Sequence, residues 1–496
     1  MYHRLIGTLA GATLAVGALV FAASPAAAAQ VDVTSTSVDP TVEGSFPWAV
    51  AEANGDPSID TIVFAAGLDI ELGEEVTYTG GQDLAIVGNA STLRGTGADT
   101  DSWDSGLFVS RTDASLEISE LSFVDSFNNG LAVFLPASSS AVEIVLDDVT
   151  VDGAQFHGVL VDGQQTTGYN TDGFLHPSCV DPHFVDAGAN ISFEIRNSQI
   201  LDNGRIDGFD ITQATGCPQD FDGVRVDQGG NGSIFATVRD SSFDGNLADG
   251  MELDETGNGN ADATVTGSDF NDNGATEPID CTIEELCGGD FGEEIEDLDD
   301  AFDIDETGNG DLIVNISAMS DFSGNSDEGV DLDEAGNGSV IVELDGITAN
   351  GNTDEGVKAT EEDNGSIVAT VRNSNLDGSE DGDNAEFEEF GTGNVVVVFE
   401  DTTASDGDGD GLKVEEEDEG SNRTTLLRST LDDNGGDGVQ TTETGVGNLD
   451  ALIEDSSLQD NDGNDVKAEQ EDNGTGRLAI VNSGTPELDL DGVTLI

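Results

Sequence analysis

A unit of about 27 residues repeats along the second half of the chain. It reads roughly D-G-Φ-x-Φ-[DE]-E-x-G-x-G, where Φ is apolar, followed by a β-rich run and then S-x-Φ-x-x-N. Successive units are 27, 51, 28, 27, 28, 27, 27 and 27 residues apart. Self-similarity at a fixed period predicts a solenoid in which one repeat carries an insertion. The second position of the unit, here called the anchor, falls at Gly223, Gly250, Ala301, Gly329, Gly356, Asn384, Gly411, Gly438 and Asp465.

Each repeat contains three strand-like runs. Apolar residues lie one and three positions after the anchor (+1 and +3), as in Val224 and Val226, and this two-residue period indicates a strand with one buried face. The second run is rich in strand-forming residues, as in Val-Val-Val-Val-Phe at 395–399. The third run contributes an apolar residue seven positions before the anchor, such as Phe243. Gly and Asn cluster between the runs, as turns require. We therefore predict an all-β, right-handed parallel β-helix with three short strands per coil.

Stacked coils bring like positions about 4.8 Å apart, so columns of identical residues are meaningful. Four positions before the anchor (−4), a column of Asn predicts amide hydrogen bonds along the stack. At +2 the charge alternates between acid and lysine, which predicts stabilising ion pairs between neighbouring strands. The Asn column comprises Asn246, Asn325, Asn352, Asn434 and Asn461, and the +2 column contains Asp331, Lys358, Glu386, Lys413, Gln440 and Lys467.

A third column, at +5, is glutamate in seven repeats with Gln at both ends. Like charges about 5 Å apart repel by roughly 1 kcal/mol in water and by more near a protein surface. Either cations bind along this column or concentrated salt screens it. We therefore treat the column as a candidate calcium site: Glu255, Glu306, Glu334, Glu361, Glu389, Glu416 and Glu443.

The net charge of −89, from 14 basic and 103 acidic residues, also indicates that bound cations or concentrated salt offset the repulsion. Disorder is the first reading of such a composition. The regular β-branched and Phe positions, and a hydrophobic content of 36%, argue against it. The acid excess is typical of high-salt habitats and excludes nucleic acid and anionic membranes as direct partners.

The N-terminus predicts export. His3 and Arg4 precede an apolar stretch over 5–23 and an alanine run that ends at Ala29, the pattern of a secretory signal peptide over 1–29. No second apolar span follows, so we expect a protein without a membrane span that is either secreted or associated with the cell surface. We assign 30–105 to an N-terminal cap and first coils, and 106–496 to the β-helix.

The four cysteines lie in segments that interrupt the repeat, near 162–188, 204–221 and 274–300. In an exported protein they predict disulfides that pin these insertions, with the pairing left open. A metal site is the weaker interpretation because His157, His176 and His183 lack zinc-ligand spacing with them. The cysteines are Cys179, Cys217, Cys281 and Cys287.

The segment 44–54, G-S-F-P-W-A-V-A-E-A-N, followed by D-T-I-V-F at 60–64, resembles the opening of exported β-helix proteins of the pectate-lyase-like superfamily with a CSLREA-type start. In that family this segment is an N-terminal cap, a short amphipathic helix that closes the first coil. Pro47 stands where the family has Arg. Most members have no assigned reaction, so the resemblance implies a fold more than a function.

The segment from Asp406 to Gly411, with Glu417 beyond it, matches the calcium loop of an EF-hand. The expected strand after Gly411 would carry Glu417 about 18 Å away. Only Asp406, Asp408 and Asp410 therefore remain as candidate calcium ligands.

Two classes of function stay open. One is a non-catalytic acidic scaffold, with calcium as its candidate stabilising ion, that binds a glycan or another cell-surface protein through its repetitive face. The other is a calcium-dependent polysaccharide lyase, with weak catalytic candidates in Arg205, Arg225, Asp207 and Asp222. A glycoside hydrolase is less favoured because Asn-Thr-Asp-Gly at 170–173 stands alone among that family's signatures. The regular repeat is far longer than its interruptions, which favours the scaffold.

Overall fold

The computed structural model describes residues 29–96, 105–136, 141–163, 188–204, 221–274 and 300–496. Within these ranges the chain is a parallel β-helix, and the strand pairings join like positions of successive coils in parallel register. The fold class predicted from the repeat is therefore confirmed. The right-handed sense is the one that nearly all parallel crossover connections adopt.

The described strands form two long sheets. The anchor sheet, whose strands in the repeat begin just after the anchors, has 14 strands: Val76–Tyr78, Gly106–Ser110, Asn129–Phe134, Val159–Gly163, Val224–Gly230, Met251–Gly257, Phe302–Gly308, Asp331–Gly336, Val357–Asp363, Ala385–Gly391, Leu412–Asp418, Val439–Gly445, Val466–Asp472 and Leu488–Asp491.

The second sheet has 21 strands: Ala29–Val33, Ile59–Phe64, Asp69–Leu72, Leu84–Gly95, Leu116–Val124, Val142–Asp147, Thr150–Asp152, Ile191–Arg196, Gln199–Leu201, Ile234–Arg239, Ser242–Asp244, Ala261–Thr266, Asp269–Asn271, Leu312–Ser317, Val340–Asp345, Ile367–Arg372, Asn394–Glu400, Ser421–Leu427, Asp450–Glu454, Gly476–Val481 and Val493–Leu495.

The core runs along the axis as one continuous cluster of inward residues. The +1 and +3 side chains are buried, as predicted, and the third run contributes stacked rings. Phe243 and Phe270 lie 4.3 Å apart and nearly parallel, and Phe270 continues the stack to Phe322 at 5.0 Å. Apolar burial of this kind contributes about 25 cal/mol per Å², which is how a chain of such high charge is held together.

The predicted asparagine column is confirmed. Asn246 donates from Nδ2 to Asn273 Oδ1 at 3.0 Å, and Asn325 donates in the same way to Asn352 at 3.0 Å. Glu380 and Gly407 interrupt the column in two successive coils, and there the anchor residue Asn384 supplies the amide, donating to Asn434 Oδ1 at 2.9 Å. The turn amides thus stay hydrogen-bonded across the break.

One helix, Phe46–Gly55, lies where the family resemblance places one. Ser45 caps it by accepting a hydrogen bond from Trp48 N at 3.2 Å, and Pro47 occupies the first turn, where a missing N–H costs nothing. Phe46 and Val50 are buried in the core. The family-specific cap remains a prediction.

Several predicted features fall on residues outside the described ranges. These are the signal peptide apart from Ala29, Arg205, Asp207, nearly all of the three insertions and all four cysteines. Among the residues that the structure describes, no helix is long and apolar enough to cross a membrane.

Candidate metal centre

Acidic side chains concentrate on the outer face of the anchor sheet in three neighbouring columns. The columns lie one residue before the anchor (−1) and two and four residues after it (+2 and +4). They are stacked because strands Met251–Gly257, Phe302–Gly308 and Asp331–Gly336 pair in register. This acidic face comprises Asp222, Asp249, Asp300 and Glu328 at −1, Glu252, Asp303 and Asp331 at +2, and Asp227, Asp254, Asp305 and Asp333 at +4.

Its most crowded part is centred on Asp300. Two groups of three carboxylates, each with its oxygens within 4.8 Å of one another, share this residue. One group adds Asp303 and Asp331, and the other adds Asp327 and Glu328. Asp300, Glu328 and Asp331 have 0%, 1% and 1% of their surface exposed, so water does little to screen them. These five residues are the Asp300 centre.

Backbone hydrogen bonds fix the geometry of the centre. Asp300 Oδ1 accepts from Glu328 N at 2.7 Å, and Asp331 Oδ1 accepts from Leu332 N at 2.8 Å. Two oxygens are left over, because Asp300 Oδ2 and Glu328 Oε2 have no hydrogen-bond partner among the described residues. Buried polar atoms in native proteins are nearly always satisfied, so these two oxygens indicate a missing positive charge or donor.

The electrostatics agree with the geometry. Burial raises the pKa of Asp300 well above its usual range, and the charges of Glu328 and Asp331 raise it further. Burial likewise raises the pKa of Glu328, with Asp331 and Asp327 adding to the effect and Lys358 opposing it. Carboxylates in this state gain from any bound cation, whether a proton or a metal ion.

The acidic face ends in a basic residue on each side. Arg225 donates to Asp227 at 2.9 Å, Glu252 at 2.5 Å and Asp254 at 2.5 Å. Lys358 Nζ lies 2.8 Å from Glu328 Oε1 and 3.6 Å from Asp331 Oδ2. Asp303 lies between these ends in the +2 column, which runs Arg225, Glu252, Asp303, Asp331 and Lys358.

The structure brings two of the four catalytic candidates together. Asp222 Oδ2 lies 3.7 Å from Arg225 Nη1, and both residues are largely buried. With three further carboxylates on its guanidinium, Arg225 is held as an ion-pair partner and is a poor proton acceptor. The other two candidates, Arg205 and Asp207, lie outside the described ranges.

Sequence reasoning missed His157 as a member of this site. Its Nδ1 lies 3.2 Å from Asp222 Oδ2, because strand Val159–Gly163 stacks directly on Val224–Gly230. The available signal was Gly158, which is the anchor of the preceding coil. Two insertions stretch that coil to 65 residues, so the spacing concealed it.

The predicted calcium loop at 406–410 is spread out. Asp406 and Asp408 are exposed, while Asp410 is half-buried and its Oδ1 accepts a hydrogen bond from Asp437 N at 2.5 Å. Glu417 lies on strand Leu412–Asp418, the strand that was expected to carry it away from the loop. The loop remains a prediction, with one of its three carboxylates already used to cap the next coil.

The +5 glutamate column lies on the inside of the solenoid. Glu361, Glu389 and Glu416 are each 0% exposed, and their strands pair in register. Extending the two-residue alternation from +3 to +5 predicts an inward side chain, but the residue type argued for the surface. The assignment of this column to calcium stays a prediction, and any ion bound there would have to lie inside the solenoid.

No family model matches the chain, and no curated protein matches it in sequence. Several solved structures match it at the level of the fold. The A-module of the mannuronan C-5 epimerase AlgE4 from Azotobacter vinelandii is 12% identical, with a TM-score of 0.31 and coverage of 90% of this chain and 91% of that one. The periplasmic alginate epimerase AlgG is 9% identical, with a TM-score of 0.35 and coverage of 88% and 77%.

A surface adhesin of Streptococcus pneumoniae, PfbA, is 10% identical over 88% of this chain and 85% of that one, with a TM-score of 0.21. Enzymes and an adhesin thus appear side by side at similarly low scores. These likenesses carry no argument about activity.

Proposed function

We propose that this protein is a secreted acidic β-helix that binds calcium on its acidic face and, through the bound ions, an acidic glycan at a cell surface, without catalysing a reaction. The observation that carries the proposal is the Asp300 centre, where two buried carboxylate oxygens lack a hydrogen-bond partner among the described residues. A bound divalent cation supplies the positive charge that these atoms need.

The ligand chemistry favours calcium over zinc. The centre offers carboxylate oxygens from five residues, and calcium takes six to eight oxygen ligands at about 2.3–2.6 Å. Two oxygens on one calcium ion therefore lie at most about 5 Å apart, in agreement with the 4.8 Å limit within each group. Zinc prefers nitrogen and sulfur ligands, which the centre does not offer.

The net charge of −89 restricts the partner as well. An acidic polysaccharide is repelled by the bare acidic face, and a layer of bound calcium reverses that repulsion. Binding of an acidic glycan should therefore require calcium, whereas binding of a neutral glycan should not. A cell-surface protein is the second partner that this surface could accept.

Calcium titration with parallel thermal melts tests the metal site. In protein stripped with EDTA, calcium should raise the melting temperature more than NaCl of equal ionic strength, since a hundred-fold excess over Kd stabilises by about 2.7 kcal/mol. Asp300→Asn keeps the acceptor for Glu328 N and removes a ligand charge, so it should reduce this shift. Asp462→Asn, at an exposed site, is the matched control. Equal shifts in both variants would place the calcium elsewhere.

Retention on immobilised polysaccharide tests the partner. We expect a polyuronate to retain the protein in calcium and release it in EDTA, and a neutral polysaccharide to retain it in neither. Retention of both glycans without calcium would refute the bridging role. N-terminal sequencing of the exported protein should find a start near Gln30, the first residue after the predicted signal peptide.

One arrangement favours the alternative, a calcium-dependent polysaccharide lyase. His157 and Asp222 lie together at the end of the acidic face, beside Gly204, whose N–H donates to Phe156 O at 3.1 Å. An imidazole is the commonest proton-transfer group in enzymes. Formation of unsaturated uronate products in the presence of calcium, abolished in His157→Ala, would establish the lyase. Absence of turnover on a panel of polyuronates would support the non-catalytic scaffold.

A further inference from the structure

The interior glutamate column presents a problem of charge that calcium on the outer face does not solve. Its members are stacked in register inside the solenoid, and each is at most 1% exposed. In Glu334, Glu361, Glu389 and Glu416 both carboxyl oxygens lack a hydrogen-bond donor among the described residues. A column of buried, unneutralised carboxylates would be strongly destabilising.

No described basic residue faces the column. The charged groups that act on it from its own strands, from the neighbouring turns and from the second sheet are all acidic: Asp311, Glu417, Asp418 and Asp472. The outward lysines of the same strands, such as Lys413, pair with outward acids instead. The neutralising charge has to come from a small ion within the column.

We propose that the interior glutamate column is neutralised by protons, which its carboxyl groups share from coil to coil, and that the solenoid loses stability as these protons leave at alkaline pH.

Three observations on the geometry support protons. Carboxyl groups of successive coils lie within hydrogen-bonding reach once one of them is protonated, as for Glu255 with Glu306 and Glu361 with Glu389. A protonated carboxyl group donates one hydrogen bond and accepts others, so a stack of them forms a continuous ladder. Glutamine, which has the same shape and is neutral, occupies both ends of the column at Gln228 and Gln470. Gln228 is fully buried, so this position accepts an uncharged side chain.

The space beside each carboxyl group also favours the smallest cation. A glycine four residues further on packs against it, and Gly310 N donates to Glu306 Oε1 at 2.9 Å. A Cβ added at Gly365 would lie 2.4 Å from Glu361 Oε1. Backbone therefore fills the side of the column where a hydrated metal ion would need room.

The pKa values have the corresponding direction. Burial raises the pKa of Glu361 to about 9, with Glu389 and Glu334 adding to the effect. Burial also raises the pKa of Glu416 to about 8 and of Glu389 to about 7. In the unfolded chain a glutamate releases its proton near pH 4.3.

The sign of the effect follows from linkage. From about pH 5 to about pH 9 the folded protein holds column protons that the unfolded chain has already released, so stability falls as the pH rises. The contribution is fully present below the unfolded pKa and is lost as the pH passes through about 7 to 9. Ordinary surface carboxylates are already ionised over this range and contribute little to the slope.

The test compares melting temperatures from about pH 5 to about pH 9 in EDTA and high salt, which screens the outer face. The variant carries Glu361→Gln, Glu389→Gln and Glu416→Gln, which copy the natural ends of the column. We expect its alkaline loss of melting temperature to be clearly smaller than that of the wild type, since three of seven members no longer titrate. The control carries Glu362→Gln, Glu380→Gln and Glu419→Gln, the same charge change at exposed sites, and should keep the wild-type slope.

Infrared spectroscopy provides a second readout that does not depend on how well the variant folds. Wild-type protein near pH 7 should show the carbonyl stretch of protonated carboxyl groups, and the interior variant should show less of it. Equal alkaline slopes in the interior and exposed variants, or the absence of this band from the wild type, would overturn the proposal. If the interior variant instead lost a calcium-induced rise in melting temperature, the column would be a metal site.

Discussion

Two stretches of the anchor sheet share one scaffold and differ in how their outer charge is balanced. In the acidic stretch, Glu252, Asp303 and Asp331 follow one another at +2 with no lysine between them. In the later coils Lys413 separates Glu386 from Gln440 in the same column. The inward +1 and +3 residues are buried in both, whereas the asparagine column is interrupted at Glu380 and Gly407 in the later coils. The charge of the outer surface can therefore be balanced by lysines in one stretch and require bound cations in another, without any change in the fold.

The contacts of the lysines show what the acidic stretch lacks. Lys413 Nζ lies 2.6 Å from Glu388 and also bonds Glu386, so one ammonium group neutralises two carboxylates of the neighbouring strand. At the Asp300 centre, two buried oxygens have no such partner among the described residues. The backbone spacing is the same in both stretches. Whether a coil needs an external cation therefore depends on whether its +2 residue is a lysine or an acid.

The largest expected effect comes from the part that both stretches share. A Cβ at Gly310 would lie 1.5 Å from Gly259 O, and at Gly365 it would lie 1.7 Å from Gly338 O. Gly310→Ala and Gly365→Ala should each destabilise by about 3 kcal/mol or more, because the neighbouring backbone cannot yield. Gly81→Ala, where an added Cβ meets nothing within 4 Å, is the control for urea denaturation. Unequal losses at the two sites would mean that the scaffold is not common to both stretches.

Removing a lysine should make a later coil resemble the acidic stretch. Lys413→Met leaves Glu386 and Glu388 without their ammonium partner, which should cost about 2 kcal/mol in the absence of calcium. Part of that loss should return when calcium is added. Lys467→Met removes contacts to one glutamine and one glutamate and should have the smaller effect. Denaturation with and without calcium measures both, and a calcium-insensitive Lys413 variant would contradict the comparison.

Adding a lysine should do the reverse. Asp303→Lys places a cation between Glu252 and Asp331 and restores the alternation found in the later coils. We expect a gain of about 1 kcal/mol in EDTA, together with loss of most of the calcium-induced shift. Asp462→Lys makes the same charge change at an exposed position. If both variants respond to calcium as the wild type does, the Asp300 centre is not the site of binding.

The smallest effect is expected on the second sheet, where ion pairs are open to water. Arg428 bonds Asp401 at 2.8 Å, but both side chains are 45% exposed. Arg428→Met should leave the denaturation midpoint in molar salt unchanged within error, because solvent screens such pairs. A loss comparable to that of Lys413→Met would show that ion pairing matters regardless of burial.

Much of the fold was predictable because the repeat makes each coil a copy of its neighbours. The strands, the asparagine column and the alternation at +2 follow from the period and from the two-residue pattern. The site was less predictable, since His157 joins Asp222 across a coil that two insertions lengthen to 65 residues. The Asp300 centre likewise depends on residues from adjacent coils, and their closeness follows from the stacking of the coils.

The sequence by itself determined the parallel β-helix and the excess of acid, because periodicity and charge are properties of residue order. Only the tertiary structure decided which acids are buried and which face water. Glu361 and Lys358 lie on the same strand three residues apart, yet one points into the core and the other outward. Whether a carboxyl group holds a proton, pairs with a lysine or binds calcium depends on its surroundings in space, since desolvation and neighbouring charges set its pKa.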